Sequence, residues 1–130
     1  MPQDFHELTV WQRAIDLTEC IYRLTQKFPK DEMYGLVSQL RRASVSIASN
    51  IAEGRGRLNP AEFRQFLGVA LGSTFEVQTQ LVVARRLKMG NERAIDEAAA
   101  LGNQVSRMLT SFIHKLGSKP RNLQLIAKSY

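Results

Sequence analysis

The chain has 130 residues, 44% hydrophobic and 23% charged, with Cys20 as its one cysteine. That size fits a single domain able to bury roughly two-thirds of its unfolded surface, so no staple is needed, and an intramolecular disulfide is excluded. A formal net charge of +6 favours an acidic partner (nucleic acid, an anionic protein or a membrane surface), with plain solubility as the alternative use. The polar, acidic start MPQDFHE lacks the form of a secretory signal. No run reaches the roughly 18 uninterrupted apolar residues of a spanning helix. A cytoplasmic protein without a membrane segment is expected.

The first predicted helix runs from about Thr9 to Phe28. Trp11, Ile15, Thr18, Tyr22 and Thr25 form one seam, and Ala14, Leu17, Ile21, Leu24 and Phe28 a second beside it. Two adjacent seams suit a helix that touches two neighbours. Cys20 falls at the edge of the outer side, where it reads as a small residue rather than a reactive thiol, with no cation cluster beside it. Pro29 ends the helix, because it pushes Phe28 out of helical geometry. Residues 29–34 make the turn, with Asp31 as a candidate N-cap.

The second helix is predicted from Met33 to Gly54, a natural C′ residue. Leu36, Leu40, Ala43, Ile47 and Ile51 fall on one line, and Val37, Val45, Ala48 and Ala52 widen the apolar surface to an arc of roughly 200°. Arg41 falls inside that arc, so it must find a partner or sit at a seam between subunits. Glu53 and Glu76 are expected to turn inward, into a polar network with Arg42, Asn50 and Gln80.

Asn59, Pro60 and Glu62 give the next helix its N-cap, its first-turn proline and the N3 position of a capping box. This third helix should reach about Lys88 and stop at Gly90. Its core stripe is Phe63, Phe66, Leu67, Ala70, Val77, Leu81 and Ala84. Gly68 and Gly72 lie on the far side with Thr79, and interior glycines at about 1 kcal/mol each relative to alanine suggest close approach of another helix and a self-association surface. Asn91 can cap the fourth helix, which should run to about Leu116 with Ile95, Ala98, Gly102, Val105, Leu109, Phe112 and Leu116 as an antiparallel seam. No stretch reads as a strand. The fold class is all-α: an up-down-up-down antiparallel four-helix bundle over residues 1–116, followed by a basic tail over 117–130 that carries Lys119, Arg121 and Lys128.

Enzyme signatures are missing. His6 and His114 have no second ligand at i+3 or i+4, and the Glu-x-x-His pairs of di-metal bundles do not occur, so neither a metal nor another cofactor is expected. Gly54-Arg55-Gly56-Arg57 lacks the remaining glycine and the preceding strand of a phosphate loop. Charge is more informative. Residues 33–57 are net +3, residues 58–90 net +2 and residues 115–130 net +4, against −2 over 1–32 and −1 over 91–114. The candidate nucleic-acid contacts are Arg41, Arg42, Arg55, Arg57, Arg85, Arg86 and Lys88. Arg41, Gly68, Gly72 and Thr79 are the candidate subunit contacts. Phe63, Phe66 and Phe75 read as packing residues rather than base-stacking ones.

Tyr34-Gly35-Leu36, Gln39-Leu40-Arg41-Arg42-Ala43, Ser46-Ile47 and Asn50-Ile51-Ala52-Glu53-Gly54 closely resemble the four-helix-bundle proteins encoded in intervening sequences of bacterial 23S ribosomal RNA genes. Val10-Trp11-Gln12, Phe28-Pro29, Ala70-Leu71-Gly72-Ser73 and Glu76 with Thr79-Gln80 share the likeness, which extends to about Leu116. The resemblance implies a ring-shaped homopentamer. It also links the chain to the accessory protein of diversity-generating retroelements, which binds a reverse transcriptase and nucleic acid through a basic surface. Where the family commonly has proline, this chain has Ala48, which removes the kink proline would impose. Two functions are therefore expected: sequence-nonspecific RNA or DNA binding through repeated basic patches, or a protein-interaction scaffold for a nucleic-acid enzyme such as a reverse transcriptase.

Overall fold

The computed structural model describes residues 4–118; of the expected tail over 117–130, residues 117 and 118 belong to the last helix and residues 119–130 lie outside those described. They form four α-helices: α1 (Thr9–Thr25), α2 (Ser38–Arg55), α3 (Pro60–Arg86) and α4 (Glu92–Ser118). Short 3₁₀ turns at Phe5–Glu7 and Lys30–Glu32 and a π-helical turn at Met33–Val37 complete the described chain. α1 packs on α2 and α4, and α3 packs on α2 and α4.

Side-chain contacts fix how the helices register. Along α1 and α2, Thr18 Oγ1 donates to the Ser44 carbonyl (3.1 Å) and Arg41 Nε donates to Thr25 Oγ1 (2.9 Å). Along α2 and α3, Gln39 meets Gln80, Ser46 meets Ser73, and Gly54 meets Phe66. Along α3 and α4, Arg64 meets Ile113, Gln78 meets Asn103, and Arg85 meets Asp96. In each of these three pairs, rising numbers on one helix meet falling numbers on the other.

Of the two seams expected on α1 the second becomes core, while Trp11, Ile15 and Thr18 of the first are half-buried, Tyr22 is exposed and Thr25 is buried. Ala14, Leu17, Ile21, Leu24 and Phe28 are buried, as are Leu40, Ala43, Ile47 and Ile51 of α2. Opposite them lie Phe63, Leu67, Ala70, Val77 and Leu81 of α3, and Ile95, Ala98, Val105, Leu109, Phe112 and Leu116 of α4. Phe63 and Phe112 meet edge to face with ring centroids 5.3 Å apart, the geometry an aromatic quadrupole prefers. Val45, expected on the apolar arc of α2, is exposed, and Ser44 is buried in its stead, its hydroxyl satisfied by the Arg41 carbonyl at 2.9 Å.

The helix ends depart from expectation where local chemistry offers something better. α2 does not begin at Met33. Helical geometry breaks at Gly35 (φ −107°, ψ −112°), and the Glu32 carboxylate, not Asp31, accepts the free Leu36 N–H (3.3 Å). Nor does α2 end at Gly54: it runs on to Arg55, and Gly56 is its C-cap. Gly54 is used for close approach, since a Cβ there would lie 2.5 Å from Phe66 Cβ. Asn59 caps α3 as expected, its Oδ1 accepting from Glu62 N at 2.8 Å. The α3 C-terminus closes at Lys88 (φ +57°), with Met89 N–H donating back to the Ala84 carbonyl (2.9 Å). Asn91 Oδ1 accepts from Ala94 N at 3.1 Å, and α4 continues through Gly117 to Ser118 instead of stopping at Leu116. Among the described residues α3 is long and apolar enough to cross a membrane by length and composition; its buried stripe packs on α2 and α4.

Candidate nucleic-acid interface

The end of α2 carries two arginines whose surroundings differ. Gly54 brings Phe63 and Phe66 of α3 against the last turn of α2, so both arginines emerge beside aromatic rings. Arg57 Cζ lies 4.8 Å from the centroid of Phe66, and its Nη2 is 3.5 Å from Glu53 Oε2 in an exposed pair, a contact worth little in water. Arg55 is half-buried, 5.9 Å from the Phe63 ring. Its Nε and Nη2 are sheltered from solvent and have no acceptor among the described residues. Burial lowers the Arg55 guanidinium below the usual arginine range, and the Asp4 carboxylate opposes that shift. A guanidinium stays charged in such a setting, so Arg55 presents positive charge with donors that lack an acceptor.

The remaining candidates separate in space. Arg41 is held within the chain, its Cζ 4.6 Å over the Tyr22 ring and its Nε on Thr25, so its place in the apolar arc requires no neighbouring subunit. Arg42 is exposed. Arg85 pairs with Asp96 at 2.6 Å, while Arg86 and Lys88 are exposed. Arg57 precedes α3 and Arg85 ends it, and α3 has 27 residues; at 1.5 Å per residue the two groups stand about 40 Å apart. Across several Debye lengths of about 8 Å they act independently. Among the described residues one protomer thus carries separate basic groups rather than a single patch.

The polar network expected around inward carboxylates does not form. Glu53 and Glu76 are exposed. Asn50 Nδ2 bonds to the Ser46 carbonyl and hydroxyl (2.8 and 3.0 Å), and Gln80 Nε2 donates to Gln39 Oε1 (3.3 Å). Carboxylates with water available gain nothing by turning into a seam of serines. Sequence reasoning also passed over Arg64, whose Nε donates to the Ile113 carbonyl (3.1 Å) and whose guanidinium lies where a Gly117 Cβ would come within 3.0 Å. Its signal was position: a cation one turn into a helix that opens beside the basic loop.

The outer face of α3 is largely apolar and uncovered by the described residues. A Cβ at Gly68 or Gly72 would meet nothing within 4 Å, so these glycines do not seat another helix of the same protomer. Thr79 is exposed, with its hydroxyl turned back to the Phe75 carbonyl (2.8 Å). Val69, Phe75, Val82, Val83 and Leu87 are exposed around them; Phe75, expected to pack, is 51% accessible. Among the described residues no group of three His, Cys, Asp or Glu side chains gathers to hold a metal ion. Burial and the Glu97 carboxylate raise the Cys20 thiol, which keeps it protonated and unreactive near neutrality.

A protein-family model described as 23S rRNA-intervening sequence protein matches residues 6–111. Comparison with curated proteins finds no match. Among solved structures, the chain is similar to a protein of unknown function from the S23 ribosomal protein family of Bacteroides thetaiotaomicron. The TM-score is 0.72 at 19% identity, covering 81% of this chain and 98% of that one, a likeness of fold.

Proposed function

The chain belongs to the 23S rRNA-intervening sequence protein family, and from its geometry we propose that it is a non-enzymatic, oligomeric bundle binding RNA or DNA without sequence selection. The subunit is an up-down-up-down bundle acting in the cytoplasm without a cofactor. Copies assemble through the outer face of α3, as the homopentameric ring implied by the family resemblance. The observation that carries the nucleic-acid reading is Arg55, a half-buried guanidinium whose Nε and Nη2 lack an acceptor among the described residues, with Arg57 beside it. A buried donor without a partner costs about 1–3 kcal/mol, and a phosphate oxygen would satisfy it with a charge-assisted bond. Repetition of the site around an assembly converts weak phosphate contacts into useful avidity. Such contacts position a nucleic acid and do not select its sequence.

Arg55→Ala with Arg57→Ala should weaken binding to unrelated sequences alike. Each lost phosphate contact should reduce the steepness of the log–log salt dependence by about 1. Unchanged affinity and slope would remove this loop from the site. The exposed apolar face of α3 also favours a second reading, a scaffold for a nucleic-acid enzyme such as a reverse transcriptase. Its mark is a protein partner that stays bound after nuclease treatment.

A further inference from the structure

A cavity of about 500 Å³ opens between the start of α2 and the middle of α3, away from the Arg55 loop but bordering the outer face of α3, since Glu76 also lines a groove with Gly72, Phe75 and Thr79; the proposed assembly must leave its mouth open. Its lining combines an aromatic ring, Tyr34, a cation, Arg42, and a carboxylate, Glu76, with the polar side chains of Gln39, Ser46 and Ser73. The volume falls in the range of small-ligand sites, but the composition is polar where such sites are mostly apolar. Tyr34 is 97% exposed. It sits in the π-helical turn that breaks at Gly35, so the break holds a tyrosine at the mouth of the cavity with no packing role. The floor is ordered, since Ser46 and Ser73 hydroxyls lie 2.9 Å apart and Asn50 Nδ2 donates to Ser46 Oγ.

We propose that this cavity receives one unpaired guanine nucleotide of a single-stranded RNA, stacked on Tyr34, with its base edge read by Glu76 and its phosphate met by Arg42. The inference rests on the nucleic-acid reading above and goes beyond it: phosphate contacts at the Arg55 loop select no sequence, and this separate cavity adds selection at one base. Each element has a distinct task. An exposed aromatic ring stacks on any base face and cannot choose among bases. A carboxylate accepts only, so it needs an edge that offers N–H donors. Guanine N1–H and N2–H form a parallel pair of donors suited to two carboxylate oxygens, whereas adenine and cytosine each offer one exocyclic amine and uracil one imide N–H. A nearby carboxylate would repel a phosphate, and the cation on the same wall offsets that charge. Splayed single-stranded bases, stacked and hydrogen-bonded on their edges, are the form in which RNA sequence is read by proteins.

The test uses the full chain and labelled single-stranded RNA decamers, one with central guanines and one with adenines in their place, followed by fluorescence anisotropy. The parent should prefer the guanine RNA by about tenfold. Tyr34→Ala should weaken it at least about fivefold, Tyr34→Trp should restore it, and neither should alter binding to duplex RNA. Glu76→Gln should abolish the preference without changing the salt slope. Since Tyr34 is almost wholly exposed and Glu76 is exposed, these variants should keep the parent's helical signal. Equal binding of the two RNAs by the parent, or an unchanged Tyr34→Ala, overturns the guanine site. If Arg55→Ala with Arg57→Ala still weakens binding in that case, the phosphate-binding reading stands without it. Failure of every RNA to bind at low salt removes both.

Discussion

Gly54 shows how one residue sets the geometry around a candidate site. A methyl group there would lie 2.5 Å from Phe66 Cβ and 3.1 Å from the Phe63 ring, so α2 and α3 would have to separate. Gly54→Ala should cost about 1–3 kcal/mol, the range of overpacked cores, with the urea midpoint lowered and the slope unchanged; a midpoint equal to the parent's would show that the seam yields freely. The sequence placed glycine correctly near a helix end but suggested a cap. A C′ role and a close-approach role leave the same letter, and only the position of Phe66 on the facing helix tells them apart. Arg41 has a similar history. Its place in an apolar arc was legible, and the partners that resolve it, Tyr22 and Thr25 on α1, become visible only once α1 and α2 are in register.

At the scale of the element, α3 decides most. Its buried stripe follows the 3.6-residue period, which is why Phe63, Leu67, Ala70, Val77, Leu81 and Ala84 could be picked out in advance. Its opposite face carries Gly68, Gly72 and Thr79 among exposed Val69, Phe75, Val82, Val83 and Leu87. An exposed apolar surface of that kind is where the proposed assembly would be buried. Because a side chain at Gly72 meets nothing among the described residues, Gly72→Leu should leave the fold intact and disrupt assembly, seen as a fall in molar mass with unchanged helical signal. A variant that elutes like the parent would take this face out of the interface. Phe75 was misjudged because periodicity ranks a residue by its neighbours on the helix, and at the edge of a stripe a phenylalanine can fall on either side. The break before α2 was also hidden, since the apolar spacing of Leu36 and Val37 continues unbroken through the point where Gly35 leaves helical geometry.

For the whole molecule, fold and function were legible to different depths. Four amphipathic segments with capping signals at Asn59 and Asn91 and short links leave few ways to bury their faces, so the helical fold follows from local pattern. The candidate site depends on which cations meet in space, and net charge by segment is blind to that. Arg55 and Arg57 stand about 40 Å from Arg85, Arg86 and Lys88, and Arg85 is engaged by Asp96. A surface assembled from such separated groups gains strength by repetition across copies, which ties the proposed binding to the proposed assembly. The most direct test is molar mass by light scattering, followed on the same sample by RNA and duplex DNA binding across a salt series. The account predicts a multiple of 14.7 kDa and an affinity that falls linearly on a log–log salt plot. A mass of 14.7 kDa, or an oligomer that ignores nucleic acid at low salt, would contradict it.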